Sequence, residues 1–289
     1  MDNNSSLKLK NIFAGRRLLI ATKHKKEKVI APILEKELGV LCTVSDNFDT
    51  DTLGTFSGEI DRKDDALTTV KNKCLQAMEL GNCDLAIASE GSFGAHPTFF
   101  FVPADDELVY FIDKKNNIEI WARELSTRTN FSGIMIESKN DLMEFADKVS
   151  FPSHGLIIKK NQEDNTEIAK GISNKQELLA HFDYFKNKYG KAYIETDMRA
   201  MFNPTRMNVI KKATENLIAK LSNFCPNCDT PGFSITETKS GLPCSRCKFP
   251  TRSTLAHIYE CKKCTYKNEV LYPHKKYVEE PTFCDICNP

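Results

Sequence analysis

The stretch RLLIATKHKKEKVIAPILEKELGVLCTV, residues 17–44, sets the architecture of the chain. Arg17 to Thr22 (RLLIAT) is a short apolar run of strand length, which reads as a buried strand. A polar turn, Lys23-His24-Lys25, follows. From Lys26 to Leu38 the apolar residues Val29, Ile30, Ile33, Leu34 and Leu38 recur at helical spacing, and Gly39 ends the helix. Val40 to Val44 reads as a second strand. Strand, helix, strand in this order is the opening of an α/β sheet.

Working outward, residues 46–64 are rich in Asp, Thr and Gly and read as a long polar loop, followed by a helix from Asp65 to Leu80 closed by Gly81. Leu85 to Ser89 reads as another buried strand entering the turn SEGSFGAHP, with further strands at Thr98–Val102, Leu108–Asp113 and Ile118–Ala122. Helices are expected at Asp141–Val149, Lys175–Tyr189 and Pro204–Leu221, and strands at Gly155–Lys159 and Ala192–Ile194. The expected fold is a mixed α/β sheet flanked by helices over residues 17–224, preceded by a polar, flexible segment over residues 1–16.

The tail, residues 225–289, has its own signature. Eight of the eleven cysteines form four Cys-x-x-Cys pairs: Cys225/Cys228, Cys244/Cys247, Cys261/Cys264 and Cys284/Cys287. Each pair aims two sulfurs from a tight turn, and zinc takes four ligands tetrahedrally, so four pairs predict two four-cysteine zinc sites in a double zinc-ribbon module. Spacing leaves the partnership open. The inner pairs, in CSRCKFPTRSTLAHIYECKKC, read as one compact ribbon with the outer pairs closing the second site; sequential and interleaved pairings also satisfy the count. Four thiolates leave no open position for a substrate, so these ions are expected to be structural. Cys42, Cys74 and Cys83 stand alone in apolar surroundings and read as core residues.

Lys plus Arg number 40 and Asp plus Glu 39, a formal charge of +1, so the chain lacks the overall basic excess of a strong nucleic-acid binder. Lysines interleaved with Tyr259, Tyr266, Tyr272 and Tyr277 in the tail leave a local nucleic-acid face open. No signal peptide or membrane-length apolar run is visible, so a cytoplasmic location without membrane partners is expected, and in a reducing cytosol the eleven cysteines are expected to bind metal rather than form disulfides. Oligomeric state is not legible.

Three polar segments follow strands, where α/β proteins place their sites. Thr22-Lys23-His24-Lys25-Lys26 leaves a strand and opens a helix, an arrangement suited to phosphate. In Ser89-Glu90-Gly91-Ser92-Phe93-Gly94, Glu90 is a candidate Mg²⁺ ligand. In Glu195-Thr196-Asp197-Met198-Arg199 and Asn203-Pro204-Thr205-Arg206, the forks of Arg199 and Arg206 suit phosphate, and equally an internal salt-bridge network.

Two resemblances arise at these residues. FAGRRLLIATKHKKEKVIAP, DTLGTFSGEIDR, ASEGSFGAHP, ETDMRAMFNPTRM and CDICNP make nearly the whole chain resemble an uncharacterised bacterial family, a domain of unknown function ending in paired Cys-x-x-Cys knuckles. Residues 17–94 are also similar in layout to the inosine/xanthosine triphosphate pyrophosphatases. That resemblance implies phosphate binding at Thr22 and Lys26, with His24 where Asn is usual; Lys23 joins them as a candidate from the basic strand-to-helix turn. It also implies Mg²⁺ held by Asp65 and Glu90, with Lys73 on the triphosphate; Asp65, Lys73 and Glu90 are the candidate catalytic residues. The function it implies is a Mg²⁺-dependent phosphohydrolase of non-canonical nucleoside triphosphates with a structural zinc tail. The competing readings are a non-catalytic nucleotide or nucleic-acid binder that uses the ribbons, and an interaction scaffold.

Overall fold

A computed structural model describes residues 3–44 and 65–289; the loop expected at 46–64 lies outside the described residues. The chain divides into two compact units, Lys10–Ile218 and the combination of Met1–Leu9 with Ala219–Pro289. Residues 3–13, expected to be loose, form helix α1 (Asn3–Phe13). Leu9 and Phe13 are fully buried, four apart on one helical face, and two apolar anchors at this spacing fix a segment that composition alone marks as polar.

In the larger unit, β1 (Arg17–Ala21) is followed by α2 (Glu27–Leu38) and β2 (Leu41–Val44). Ile30, Leu34 and Leu38 bury one face of α2, and Gly39 ends the helix at φ 70°, donating its N–H to Glu35 O. α3 (Ala66–Gly81) leads to β3 (Leu85–Ala95), β4 (Pro103–Asp113) and β5 (Ile118–Ser126). The strand order is β2-β1-β3-β4-β5, with β1 parallel to both neighbours and β3, β4 and β5 antiparallel. After β1 the chain turns to β2 on one side, and after β2 it crosses to β3 on the other. The carboxyl end of β1, beside Ala88 of β3, thus lies at a topological switch point, where open α/β sheets place ligands.

β3 is more than twice the expected length. The stretch SEGSFGA continues the strand, paired with β4 residue by residue from Leu85↔Asp113 to Ala95↔Pro103, so Glu90 and Gly91 lie mid-strand and not in a turn. The reversal falls at residues 96–102, where a strand was expected over Thr98–Val102. His96 closes it: its Nδ1 accepts from the N–H groups of Thr98 and Phe99, each at 3.1 Å, and its own backbone N–H donates to Val102 O. Phe99, Phe100 and Phe101 are exposed on this loop, because a short apolar run satisfies strand and turn patterns alike.

A second sheet completes this unit. β6 (Gly133–Ile136), α4 (Lys139–Lys148), β7 (Leu156–Lys159), β8 (Ile168–Ile172), α5 (Lys175–Tyr189) and β9 (Ala192–Thr196) give the antiparallel order β6-β9-β7-β8. Leu142, Phe145, Leu178, Phe182 and Phe185 of the two helices pack with Leu156, Ile158 and Ile194 of the sheet. α6 (Pro204–Leu221) follows. β6 and β8 escaped the sequence reading because they are short and mostly not buried: β6 (GIMI) is only three apolar residues after a glycine, and β8 (IAKGI) is interrupted by Lys170 and Gly171.

In the tail, β10 (Ser234–Ser240), β11 (Thr254–Glu260) and β12 (Lys267–Leu271) form an antiparallel sheet in that order. No helix among the described residues is long and apolar enough to cross a membrane.

Candidate functional site

At the switch point the backbone is unusual. His24 and Lys25 both adopt positive φ, 68° and 61°, before Lys26 enters the helical region. Two consecutive non-glycine residues in this region carry steric cost, and such outliers cluster at functional sites. A left-handed residue followed by a right-handed one also lines up successive N–H groups as an anion-binding concavity. Thr22 is buried, with its hydroxyl donating to Lys23 O at 2.9 Å; Lys23 is exposed and His24 half-buried.

Lys26 is buried and its ammonium donates to Ser89 Oγ at 3.1 Å on β3. Burial, reinforced by Arg206, pushes its pKa down to about 8, against the opposing pull of Glu107 and Glu90. Side chains alternate along β3, so Ser89 and Gly91 face one way and Glu90 the other. On the Glu90 face lies α3, and Lys73 Nζ meets Glu90 Oε2 at 2.5 Å with both side chains buried.

On the Ser89 face stand two acids that the sequence reading missed, Asp105 and Glu107 of β4. They pair in register with Phe93 and Gly91. Glu107 Oε1 accepts from Arg206 Nε at 2.5 Å, and Arg206 Nη1 also donates to Met198 O. The guanidinium lies 5.1 Å from the centre of the Phe93 ring. Gly91 is required here: a Cβ at this position would sit 2.3 Å from Glu107 Oε1 and 2.6 Å from Arg206 Nη2. Burial, with Glu107 beside it, raises Asp105 to about 8 although Arg206 and Lys26 oppose the shift. The signal for these acids was the period-2 continuation backwards from buried Val109, Phe111 and Asp113 to Glu107 and Asp105. PADDE reads as a turn by composition, which hid it.

Along the middle of β3, Lys73 and Glu90 therefore meet on the α3 face, and Lys26, Arg206, Glu107 and Asp105 gather on the other. Two predicted residues have other duties. Asp65 is the N-cap of α3, accepting from Leu67 N, Thr68 N and Thr68 Oγ1; it is exposed and held below the usual carboxylate range chiefly by Thr68. It stands eight residues before Lys73, about 12 Å along the helix axis. Arg199 is committed to buried Asp197, with Nη2 to Oδ2 at 2.6 Å, and stacks on Phe202 at 4.7 Å; Asp197 Oδ2 also accepts from Gly171 N. Arg206 is an internal pin between β4 and the segment after β9. Asn203 caps α6, its side-chain oxygen accepting from Arg206 N at 2.9 Å, and Pro204 occupies the first turn. Both arginines stand in internal salt bridges, Arg199 with Asp197 and Arg206 with Glu107.

The cysteines form two groups, Cys225/Cys228/Cys261/Cys264 and Cys244/Cys247/Cys284/Cys287, with all sulfurs of a group within 4.8 Å of one another. The pairing is interleaved, and the inner-pair ribbon is overturned. β11 lies between Cys247 and Cys261, and its seven residues span about 23 Å at the usual strand rise, so the inner pairs sit at opposite ends of the sheet. The antiparallel hairpin β10–β11 returns the chain to the end it left, which brings the first and third pairs together. Three pairs share one turn: the residue after the second Cys (Asp229, Lys248, Thr265) has positive φ and donates its N–H to the first Cys carbonyl at 2.9 to 3.0 Å.

Sulfur separations of 3.6, 3.6, 3.9 and 3.5 Å join Cys225 to Cys264, Cys228 to Cys261, Cys244 to Cys287 and Cys247 to Cys284. These are far above the disulfide length of about 2.05 Å. They match the edge of about 3.8 Å expected for a tetrahedron of sulfurs about 2.3 Å from zinc. Asn227 Nδ2 reaches Cys264 Sγ at 3.5 Å and Arg246 N reaches Cys244 Sγ at 3.4 Å, the outer contacts that orient thiolate ligands. Both groups could hold zinc.

Fold and site together define a mixed α/β protein with a buried ionic cluster at its switch point and a tail built on two four-cysteine groups. The chain belongs to the family described as a domain of unknown function, DUF6671, which matches residues 73–289. The matched span begins at Lys73 and includes Glu90, Asp105, Glu107, Arg206 and all eight paired cysteines. No curated protein matches the chain in sequence.

Proposed function

We propose that this protein is a nucleotide phosphohydrolase acting on nucleoside di- or triphosphates at the carboxyl end of β1, beside Ser89 and Glu90 of β3, with a tail stabilised by two structural zinc ions. One observation carries this reading: the buried cations Lys26 and Lys73 stand on the two faces of β3, at Ser89 and Glu90, next to the loop after β1 whose backbone passes through two consecutive left-handed residues. Buried ionisable clusters of this kind are costly as structure and are found where chemistry needs them. Lys26, at the entry of α2, would take phosphate oxygens, and Lys73 would share its charge between Glu90 and the phosphate. A Mg²⁺ ion would supply charge neutralisation and a water nucleophile. The layout resemblance of residues 17–94 to the inosine/xanthosine triphosphate pyrophosphatases supports the same substrate class.

The test is calorimetry and phosphate or pyrophosphate release with a panel of nucleotides and Mg²⁺. Binding and turnover are expected, with Glu90→Gln lowering the rate about 10²-fold and Lys73→Met weakening nucleotide binding. Absence of binding at millimolar nucleotide would remove this reading. Binding without turnover would leave a nucleotide-sensing module.

A further inference from the structure

We propose that Asp105 and Glu107 form a divalent-cation site for Mg²⁺ or Mn²⁺ on the sheet face opposite Glu90. The two acids stand two residues apart on β4 and therefore point the same way. Asp105 is 1% exposed and Glu107 fully buried. Among the described residues, neither carboxylate oxygen of Asp105 has a hydrogen-bond partner, and nor has Oε2 of Glu107; the Arg206 Nε bond goes to Oε1. Three carboxylate oxygens thus lie inside the protein with no hydrogen-bond partner, against the strong rule that buried polar atoms are paired.

The neighbouring cations do not resolve this. Lys26 Nζ donates to Ser89, and Arg206 spends a further bond on Met198 O. A water brings two protons to three acceptors and no net charge, and an anion would be repelled. A hard divalent cation matches the donor set: it takes oxygen ligands, and Mg²⁺ uses one or two carboxylates while leaving its remaining positions to water and phosphate oxygens. Glu107 would be shared, with Oε1 on Arg206 and Oε2 on the ion, an outer contact that fixes a ligand's orientation. Gly91 makes room for that carboxylate against β3. The proposal deepens the phosphohydrolase reading, which needs such an ion, but cation binding is measurable without any nucleotide.

The experiment uses the full chain with its zinc in place and Mg²⁺ alone as probe, read by thermal melting and calorimetry, with Mn²⁺ electron paramagnetic resonance as a second signal. Mg²⁺ is expected to bind one ion per chain at this site and to raise the melting temperature of wild type saturably. Asp105→Asn preserves shape and has no protein bond to lose, so it folds, and its Mg²⁺ affinity is expected to fall about 10–100-fold or more. Glu107→Gln should also lose the ion but loosens Arg206, so Asp105→Asn is the deciding variant. Asp65→Asn should keep the full shift. Wild type indifferent to millimolar Mg²⁺ and Mn²⁺ would overturn the site. So would a shift retained in Asp105→Asn, or one lost in Glu90→Gln and kept in Asp105→Asn. Cation binding without nucleotide binding would retain the site while removing the phosphohydrolase.

Discussion

An ammonium group buried like that of Lys26 disfavours its own charge, and the consequence can be signed. Its pKa falls from 10.5 to about 8 through burial and Arg206, with Lys73 adding to the depression and Glu107 and Glu90 opposing it. Between these values the unfolded chain binds the proton more readily, so stability rises as pH increases through that window. Below about 8 the penalty is fully present, on the order of 3 kcal/mol. Lys26→Met is therefore expected to raise the melting temperature at pH 7 and to flatten the rise in stability between pH 8 and 10. Binding should behave oppositely: tripolyphosphate affinity of wild type is expected to decline above about pH 8, where Lys26 loses its charge, and calorimetry on Lys26→Met should show no such decline. Gly91 offers a second test at this scale. Its missing Cβ leaves space for the Glu107–Arg206 pair, so Gly91→Ala must displace a buried ion pair. A loss of about 3 kcal/mol or more in urea unfolding is expected, the usual result of breaking such a pair.

At the scale of elements, α6 begins with a cap that does two jobs. Asn203 accepts from Arg206 N, and its Nδ2 donates to Asn130 Oδ1. Asn203→Ala is expected to cost about 1–2 kcal/mol by denaturant unfolding, while Asn203→Asp, which keeps the cap, should cost less. Helices were legible in the sequence wherever an apolar stripe and a stop coincided, as in Ile30, Leu34 and Leu38 before Gly39. Strands were legible where they were continuously buried, as in β1. β3 was cut short because Glu90 and Gly91 look like turn residues; what keeps them in the strand is an ion pair to α3 and another across β4, neither written in local pattern. For the same reason the sequence pointed to Glu90 and Lys26 through their places after strands, and to Lys73 only through the layout resemblance of residues 17–94, yet passed over Asp105 and Glu107. Their burial depends on Arg206, about a hundred residues away in sequence.

At the scale of the molecule, the interleaved cysteine groups tie the tail together. Elemental analysis is expected to return about two zinc ions per chain. With Co²⁺ as a spectroscopic substitute, Cys225→Ser and Cys261→Ser should each lose the same half of the thiolate charge-transfer band, and Cys244→Ser and Cys284→Ser the other half. If Cys244→Ser and Cys261→Ser behaved as one class, the observed grouping would be wrong. Chelation should abolish the tail's dispersion in nuclear magnetic resonance spectra while the unit at Lys10–Ile218, which has its own apolar cores, keeps its signals. Interleaving also imposes a timetable on synthesis. On the ribosome, the first group has all four thiols once Cys264 emerges, whereas Cys244 and Cys247 have been outside longer and still lack their partners. Nineteen residues separate Cys264 from Cys284, so two adjacent thiols stay exposed to oxidants and to stray metals until translation has passed Cys287.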